Sequence, residues 1–170
     1  MNLRLDLSGS GQSLRRAWER LSPLPGGKRI FDRLLGLMNP YTGSVGPRFL
    51  ELGPGHARVE MRDRRTVRNH VASIHAIALA NLGEMSTGLA LMAGLPDDAR
   101  AIITELKVEY LKKARGCVTA ECRCTPPATS ERQELELLGE IHDERGELVA
   151  RAHARWLVGP KRPAAGARRP

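Results

Sequence analysis

A run of mostly apolar residues from Ile74 to Ala93 constrains the fold more than any other feature of the 170-residue chain. It consists mainly of Ala, Leu, Ile and Met and has no polar face wide enough to meet water, which predicts a helix buried nearly all round. Ser73 is the predicted N-cap, and Gly94 followed by Pro96 is the predicted stop. At roughly 1.5 Å per residue the helix would be about 30 Å long, and a sheet wrapped around it would bury it.

One ionisable residue, Glu84, lies about midway along this helix. Burial of an unpaired carboxylate is costly, so such a group shifts its pKa, finds a partner or has a chemical role. His75 precedes Glu84 by nine residues, about two and a half turns, which puts the two side chains on opposite sides of the helix and about 13 Å apart along its axis. They therefore cannot serve one site within a single chain. Two such helices packed antiparallel in a homodimer would bring the start of one beside the middle of the other.

The segments on either side of the helix have the pattern of strands. Arg48 to Leu52 and His56 to Met61 predict a hairpin closed by a Gly-Pro-Gly turn. After the helix, four segments alternate apolar and polar residues, at 101–111, 116–124, 134–142 and 148–158. A strand pair, a helix and four strands predict an antiparallel α+β domain rather than a βαβ fold.

Two amphipathic helices are predicted before the hairpin, at Gln12 to Ser22 and Lys28 to Met38. Either a membrane surface or the domain's own sheet could receive their apolar stripes. We favour the sheet, because the stripes are narrow and Glu19 and Asp32 interrupt the basic face. The stripes comprise Leu14, Trp18 and Leu21 in the first helix and Ile30, Leu34, Leu37 and Met38 in the second.

The chain is predicted to form one domain with extensions at both ends. Residues 1–38 are assigned to the N-terminal helices, 39–159 to the α+β domain, and 160–170 to a disordered basic tail rich in Pro, Ala and Gly. The formal net charge is +8, and four of the positive residues lie in that tail. A basic surface attracts nucleic acid, anionic lipid, acidic protein or phosphorylated small molecules. No stretch interleaves aromatic and basic residues, so nucleic acid is not the predicted partner.

The cysteines and the hydropathy pattern bear on location and metal binding. Cys117, Cys122 and Cys124 are a poor disulfide framework and an incomplete zinc set, so we expect reduced thiols and no metal site. No eighteen-residue apolar run and no secretion signal are recognisable, which predicts no membrane span and a cytoplasmic location. The sequence also lacks a phosphate loop and a Gly-x-Ser-x-Gly nucleophile elbow.

Asn69 lies six residues before His75, and Glu84 lies nine residues after it. This spacing resembles the pattern of the hot-dog acyl-CoA thioesterases, in particular the phenylacetate-degradation and 4-hydroxybenzoyl-CoA types. Segments 103–111 and 114–116 are similar to the third strand and the following turn of that family. The opening helices and Asn39-Pro40-Tyr41 resemble a branch of the superfamily catalogued as a domain of unknown function.

The resemblance implies the hot-dog fold, an α+β domain in which a six-stranded antiparallel sheet wraps around one long central helix. It also implies hydrolysis of an acyl-CoA thioester at a site shared by the two subunits of a homodimer, with coenzyme A as part of the substrate and no cofactor. Glu84 would act as general base or nucleophile. The backbone N–H of Ala76 at the helix start, helped by His75 or Asn69, would polarise the thioester carbonyl.

The chain departs from the family at two places. The family has two glycines after its His, whereas this chain has Ala76 and Ile77. An Ala still offers its N–H, but Ile77 narrows the approach and alters the expected substrate shape. The position of the family's third-strand Ser or Thr is taken by Ile103, with Thr104 adjacent.

Lys112, Lys113 and Arg115, in the turn after the third strand, are the candidate contacts for the phosphates of coenzyme A, by resemblance and by charge. Two alternatives stay open at this point. One is a non-catalytic hot-dog protein that binds acyl-CoA or acyl carrier protein, and the other is a thioesterase that acts on acyl carrier protein. Pairing of dimers into tetramers and the identity of the acyl chain are left open too. The predicted lining of the acyl pocket is Ile77, Met85 and Leu89.

Overall fold

The computed structural model describes residues 11–161, so the predicted basic tail beyond Lys161 lies outside the described residues. The helices in this range are α1 (Gly11–Leu21), α2 (Gly27–Met38), α3 (Pro40–Val45) and α4 (Ala76–Met92), with a 3-10 turn at Arg65–Val67. The strands are β1 (Arg48–Gly53), β2 (His56–Arg62), β3 (Ala99–Tyr110), β4 (Cys117–Arg123), β5 (Gln133–Asp143) and β6 (Leu148–Pro160).

The six strands form one antiparallel sheet in the order β1-β2-β4-β5-β6-β3. Helix α4 packs against the inner face of this sheet, and its Leu82 and Leu91 are completely buried. The architecture confirms the predicted α+β hot-dog fold with a central helix and N-terminal helices. The hairpin and the four later strands begin and end within two residues of their predicted bounds.

Small residues allow α4 to lie close to the sheet. A Cβ atom on Gly83 would lie 2.3 Å from the Cβ of Ala152 in β6. A Cβ atom on Gly139 in β5 would lie 2.8 Å from the hydroxyl oxygen of Ser86. Glycine is therefore required at both positions by the short distance between helix and sheet.

Gly83→Ala is expected to lower the free energy of unfolding by about 1–3 kcal/mol, because the Cβ of Ala152 is fixed to its strand and cannot move aside. The higher helix propensity of Ala offsets part of this loss. Chemical denaturation of the parent and the variant measures the difference. The double variant Gly83→Ala/Ala152→Gly should regain most of it, and a double variant no more stable than the single one would contradict the proposed contact.

Helix α4 is not buried all round. The side chain of Ile77 is 54% exposed, and Ala80, Asn81 and Glu84 are partly exposed. These residues recur at intervals of three or four, so they share one face of the helix. The prediction of a helix buried nearly all round therefore holds except along this stripe, which carries Glu84.

Strand β3 is an edge strand that pairs with β6 alone among the described strands. Its pairing shifts register between Ile103 and Glu105. Beyond that bulge, Leu106 and Tyr110 lie opposite buried alanines of β6, yet Tyr110 is 47% exposed. The inner face of this edge is therefore only partly covered by α4.

The N-terminal helices pack on the domain, but not both on the predicted face. Trp18 and Leu21 of α1 are buried as predicted. In α2 the buried residues are Phe31 and Leu35. Three residues of the predicted inward stripe are exposed instead, namely Ile30, Leu37 and Met38.

Aromatic contacts set the rotation of α2. The ring of Phe31 lies between Trp18 and Phe49, with centroid distances of 5.1 and 5.3 Å, and both pairs are edge-to-face. With Phe31 directed at the domain, Ile30 and Leu37 are turned about 100° or more away from it. The prediction that they pack on the sheet is wrong for this reason.

Candidate functional site

Asn69 organises the tight loop that leads into α4. Its Oδ1 accepts hydrogen bonds from the backbone N–H groups of Val71 and Ser73, each at 3.1 Å. Its Nδ2 donates to the hydroxyl oxygen of Ser73 at 3.0 Å. Ala72 in this loop has a φ of 53°, which is uncommon for a residue other than glycine. The amide of Asn69 thus holds the loop that positions the helix start.

The N-cap of α4 is His75 and not Ser73 as predicted. The N–H and hydroxyl of Ser73 bond to Asn69, which leaves the cap to the His75 ring. The Nδ1 atom of His75 accepts a hydrogen bond from the N–H of Ile77 at 3.1 Å. An accepting Nδ1 carries no proton, so the neutral ring has its hydrogen on Nε2. The exposed His75 side chain therefore offers an Nε2–H donor at the helix start.

The backbone N–H of Ala76 is a second donor at the same end. The next three N–H groups, of residues 77–79, are bonded to the ring or the carbonyl oxygen of His75. The N–H of Ala76 has no acceptor among residues 11–161. Because the first turn of a helix also carries the positive end of the helix dipole, this donor suits an oxygen that gains negative charge.

Neighbouring segments hold the helix start in place. The N–H of His75 donates to the carbonyl of Val67 at 2.7 Å, and the N–H of Ile74 donates to the carbonyl of Ala114 at 2.9 Å. The hydroxyl of Tyr110 donates to the carbonyl of Ala76 at 3.0 Å. Since Tyr110 is the last residue of β3, the free edge of the sheet ends beside the start of α4, where the N–H of Ala76 is free among the described residues.

The three cations predicted to contact coenzyme A lie in the segment after β3 that bonds to the chain just before α4, but they are not equally free. The ammonium of Lys112 pairs with Asp143 at 2.8 Å and also with Glu147, and these hydrogen bonds raise its pKa. The Nε of Arg115 donates to the carbonyl of Ala72 at 3.2 Å. Lys113 is exposed and makes no ion pair within residues 11–161. The ammonium of Lys113 and the other guanidinium nitrogens of Arg115 are therefore available to bind an anionic group.

Glu84 is half-buried in the middle of α4. Its carboxylate makes no hydrogen bond or ion pair with any residue that the structure describes. Burial raises its pKa, and no neighbouring cation opposes that effect. The structure thus brings together Asn69, His75 and Ala76 within one chain, whereas Glu84 of the same chain lies more than two helical turns away. A carboxylate with a raised pKa is a stronger base than an ordinary one and is suited to accept a proton.

Asn81 is a polar residue of this helix that the sequence interpretation missed. It lies one turn before Glu84, and its Nδ2 donates to the hydroxyl of Thr42 in α3 at 3.3 Å. Its Oδ1 is buried without a donor. Unsatisfied buried acceptors are uncommon, so this oxygen stands out among the polar atoms of the helix. The signal in the sequence is a second polar side chain, three residues before Glu84, in an otherwise apolar run.

Two residues predicted to line the acyl pocket belong to the core instead. Met85 and Leu89 are 5% and 4% exposed and pack among the buried residues of the sheet. They lie on the face of α4 that the sheet covers, so they do not border open space. Ile77 remains exposed at the helix start.

All three cysteines are free thiols, and the hydrogen bond with Cys122 lowers the pKa of Cys124, whereas the other two thiols have little tendency to ionise. Burial and a hydrogen bond to Glu60 raise the pKa of Cys117 to about 12, and a hydrogen bond to Cys124 raises that of Cys122. Among residues 11–161, no three side chains of the His, Cys, Asp or Glu type are grouped to hold a metal ion. No helix in the described part of the chain has the length and hydropathy to cross a bilayer.

Comparisons with known proteins agree with this architecture. Residues 27–158 match the family described as a domain of unknown function, DUF4442. A solved structural-genomics protein, APC5556, is 30% identical with a TM-score of 0.76, and the match covers 87% of this chain and 99% of that chain. A protein of unknown function from Pseudomonas aeruginosa, described as a probable thioesterase, is 23% identical with a TM-score of 0.70, over 81% of this chain and 97% of that one.

A thioesterase from Haemophilus influenzae is 16% identical with a TM-score of 0.69, over 81% of this chain and 94% of that one. No curated protein matches the sequence significantly. The Pseudomonas and Haemophilus proteins are each under 25% identical to this chain, so their likeness supports the fold alone.

Proposed function

The chain belongs to the DUF4442 family of the hot-dog thioesterase superfamily, and we propose that it hydrolyses acyl-CoA thioesters at a site shared by two subunits. One observation carries the proposal. A half-buried carboxylate without a partner, Glu84, lies on the same helix whose start presents two free hydrogen-bond donors. Water activation and carbonyl polarisation are the two requirements of thioester hydrolysis, and these groups supply them.

The surface around β3 supports a second subunit. Ile102 in β3 is 52% exposed, and Leu106 and Tyr110 are also exposed along the unpaired edge. A long edge strand has unpaired backbone N–H and C=O groups and is a template for pairing with another strand. A twofold axis across this edge runs the two α4 helices antiparallel, so the start of one approaches the middle of the other. The partner subunit's Glu84 then completes the site formed by His75 and Ala76.

In this site the thioester oxygen accepts hydrogen bonds from the N–H of Ala76 and the Nε2–H of His75. The partner subunit's Glu84 takes a proton from water, whose oxygen attacks the carbonyl carbon and forms a tetrahedral intermediate with a negative oxygen. The intermediate collapses to a carboxylic acid and the thiolate of coenzyme A. A thiolate leaves readily, so no strong general acid is needed. Asn69 acts by holding the loop that orients both donors.

A second route gives the same products. The partner subunit's Glu84 attacks the carbonyl carbon directly and forms a mixed anhydride, which water then hydrolyses. In both routes Lys113 and Arg115 bind the phosphates of coenzyme A beside the helix start. Ile77 is exposed at that entrance and limits the width of the acyl group.

The first test is a panel of thioesters assayed for binding and for hydrolysis in parallel. We expect release of free coenzyme A from at least one of short-chain, long-chain, phenylacetyl and 4-hydroxybenzoyl thioesters. The same acyl groups on acyl carrier protein distinguish the two carriers. Tight binding of acyl-CoA without release would favour a non-catalytic binding protein. A protein that is monomeric at assay concentration yet active would contradict the shared site.

A further inference from the structure

We propose that the outer face of the N-terminal helices α1 and α2 docks the protein on an anionic lipid surface. This inference does not depend on the proposed hydrolysis. It begins from apolar side chains that the fold leaves without a partner. Leu37 of α2 is 77% exposed, and Ile30 of the same helix is 47% exposed. Seven residues apart, they lie on one face of the helix, and Leu34 between them is only partly buried.

An open cleft extends this apolar face between α2 and α3. Its volume is about 600 Å³, and Leu37 and Pro40 line it together with Gly36 and Gly43. A Cβ atom on Gly43 would lie 2.6 Å from the carbonyl oxygen of Gly36, so the two helices meet through bare backbone at its floor. Tyr41 of α3 is exposed beside it. The cleft is wide enough to admit hydrocarbon from a lipid layer.

The charges around the apolar face are mostly positive. Residues 11–38 contain six cationic and two acidic side chains. Arg29 and Arg33 lie one turn apart on the outward side of α2, and Arg16 and Arg20 lie one turn apart on the outward side of α1. None of these four arginines has an ion-pair partner within residues 11–161.

Of the two acidic residues predicted to interrupt this basic face, only Glu19 lies on it. The carboxylate of Asp32 is turned into the domain, where it accepts a hydrogen bond from the N–H of Phe49 at 3.0 Å, and burial raises its pKa. Glu19 pairs with Arg15 at 3.3 Å. One exposed carboxylate therefore stands against Arg16, Arg20, Arg29 and Arg33, and the outer face keeps a net positive charge.

An anionic bilayer is the occupant that matches both features. Its headgroup layer offers a dense array of phosphates to the exposed arginines, and its acyl region receives exposed Leu and Ile side chains. The arginines flank the apolar stripe, which is the arrangement of helices that lie in the plane of a membrane surface. Lys28 is excluded from this contact, because its ammonium donates to the carbonyl of Leu50 and lies 5.3 Å from the Trp18 ring.

Sedimentation with lipid vesicles tests the proposal. We expect the full chain to bind vesicles of equimolar phosphatidylcholine and phosphatidylglycerol, to bind pure phosphatidylcholine at least tenfold more weakly, and to dissociate as salt is raised. Each arginine contributes about fivefold, so Arg29→Gln/Arg33→Gln should weaken binding about 25-fold. Ile30→Ser/Leu37→Ser should weaken it at least tenfold. Binding that is absent, or equal in these variants, overturns the proposal.

Matched substitutions elsewhere on the surface serve as controls. Leu138→Ser removes an exposed leucine of β5, and Arg145→Gln removes an unpaired arginine from the turn before β6. Neither should change vesicle binding. A tryptophan placed by Leu37→Trp should shift its fluorescence to shorter wavelength on anionic vesicles, whereas one placed by Leu138→Trp should not. If the α2 variants instead change the oligomeric state, the face is a contact between copies and the lipid proposal is wrong.

Discussion

Glu84→Gln is expected to reduce thioester hydrolysis by about 10²–10⁴-fold, the usual contribution of a positioned general base. Glutamine has the shape of glutamate and fits the same half-buried position, but it neither accepts the proton of water nor attacks the carbonyl. Binding of acyl-CoA should be almost unchanged, because the carboxylate acts on water and not on the carrier. Steady-state assays measure kcat, and calorimetry measures binding. Hydrolysis at the parental rate would show that Glu84 is not the base.

The same variant is expected to be at least as stable as the parent at pH 7. Burial raises the folded-state pKa of Glu84 above the ordinary value of 4.5, so folding disfavours its ionised form. The stabilising effect of the protonated form is therefore complete below about pH 4.5 and is lost as pH rises through the folded-state pKa. Thermal unfolding at several pH values checks the sign. The hydrolytic activity of the parent should instead rise with pH through that pKa, because a general base must be ionised.

Glu131→Gln is the matched control for the charge that is removed. Glu131 is exposed and makes no ion pair among the described residues, so its replacement changes the net charge by the same amount without affecting the site. Activity and stability should both stay at the parental level. An equal loss of activity in the two variants would point to a general charge effect and would contradict the role of Glu84.

The fold could be predicted because its signals are local. The central helix has an apolar composition that no surface helix tolerates, and β2, β4 and β6 alternate buried and less buried residues along most of their length. Which face of an amphipathic helix is buried could not be predicted in the same way. Phe31 and Leu35 have the same spacing as Ile30 and Leu34, and only contacts with Trp18 and Phe49 decide which pair is buried.

The parts of the site that were missed depend on residues far apart in the chain. Lys112 was indistinguishable from Lys113 in the sequence, but Asp143 and Glu147, more than thirty residues away, engage it. The Asn81 side chain is positioned by its hydrogen bond to Thr42 of α3, which is 39 residues earlier in the chain. The N-cap is an exception, because it depends on residues close together in the chain. Ser73 and His75 can both cap α4, and His75 does so because Ser73 is bonded to Asn69.

Ala76→Pro is expected to lower kcat by about 10²–10³-fold, the effect of losing one donor to the oxyanion. His75 has φ −65° and ψ 140°, the extended conformation that a residue before proline prefers. At the first position of a helix proline removes only the N–H, which here has no acceptor, so the fold and thermal stability should be kept. Ala76→Ser retains the N–H and should stay near parental activity. Full activity of the proline variant would mean that this N–H does not bind the thioester oxygen.

Mixing the two inactive variants then tests whether the site is shared. Chains carrying Ala76→Pro and chains carrying Glu84→Gln, unfolded together and refolded, should give mixed dimers in half of the pairs. In a mixed dimer one site combines both defects, whereas the other combines an intact Ala76 with the intact Glu84 of the partner subunit. Random pairing should therefore restore about a quarter of the parental activity. A site built within one chain would regain none, because every chain in the mixture carries a defect.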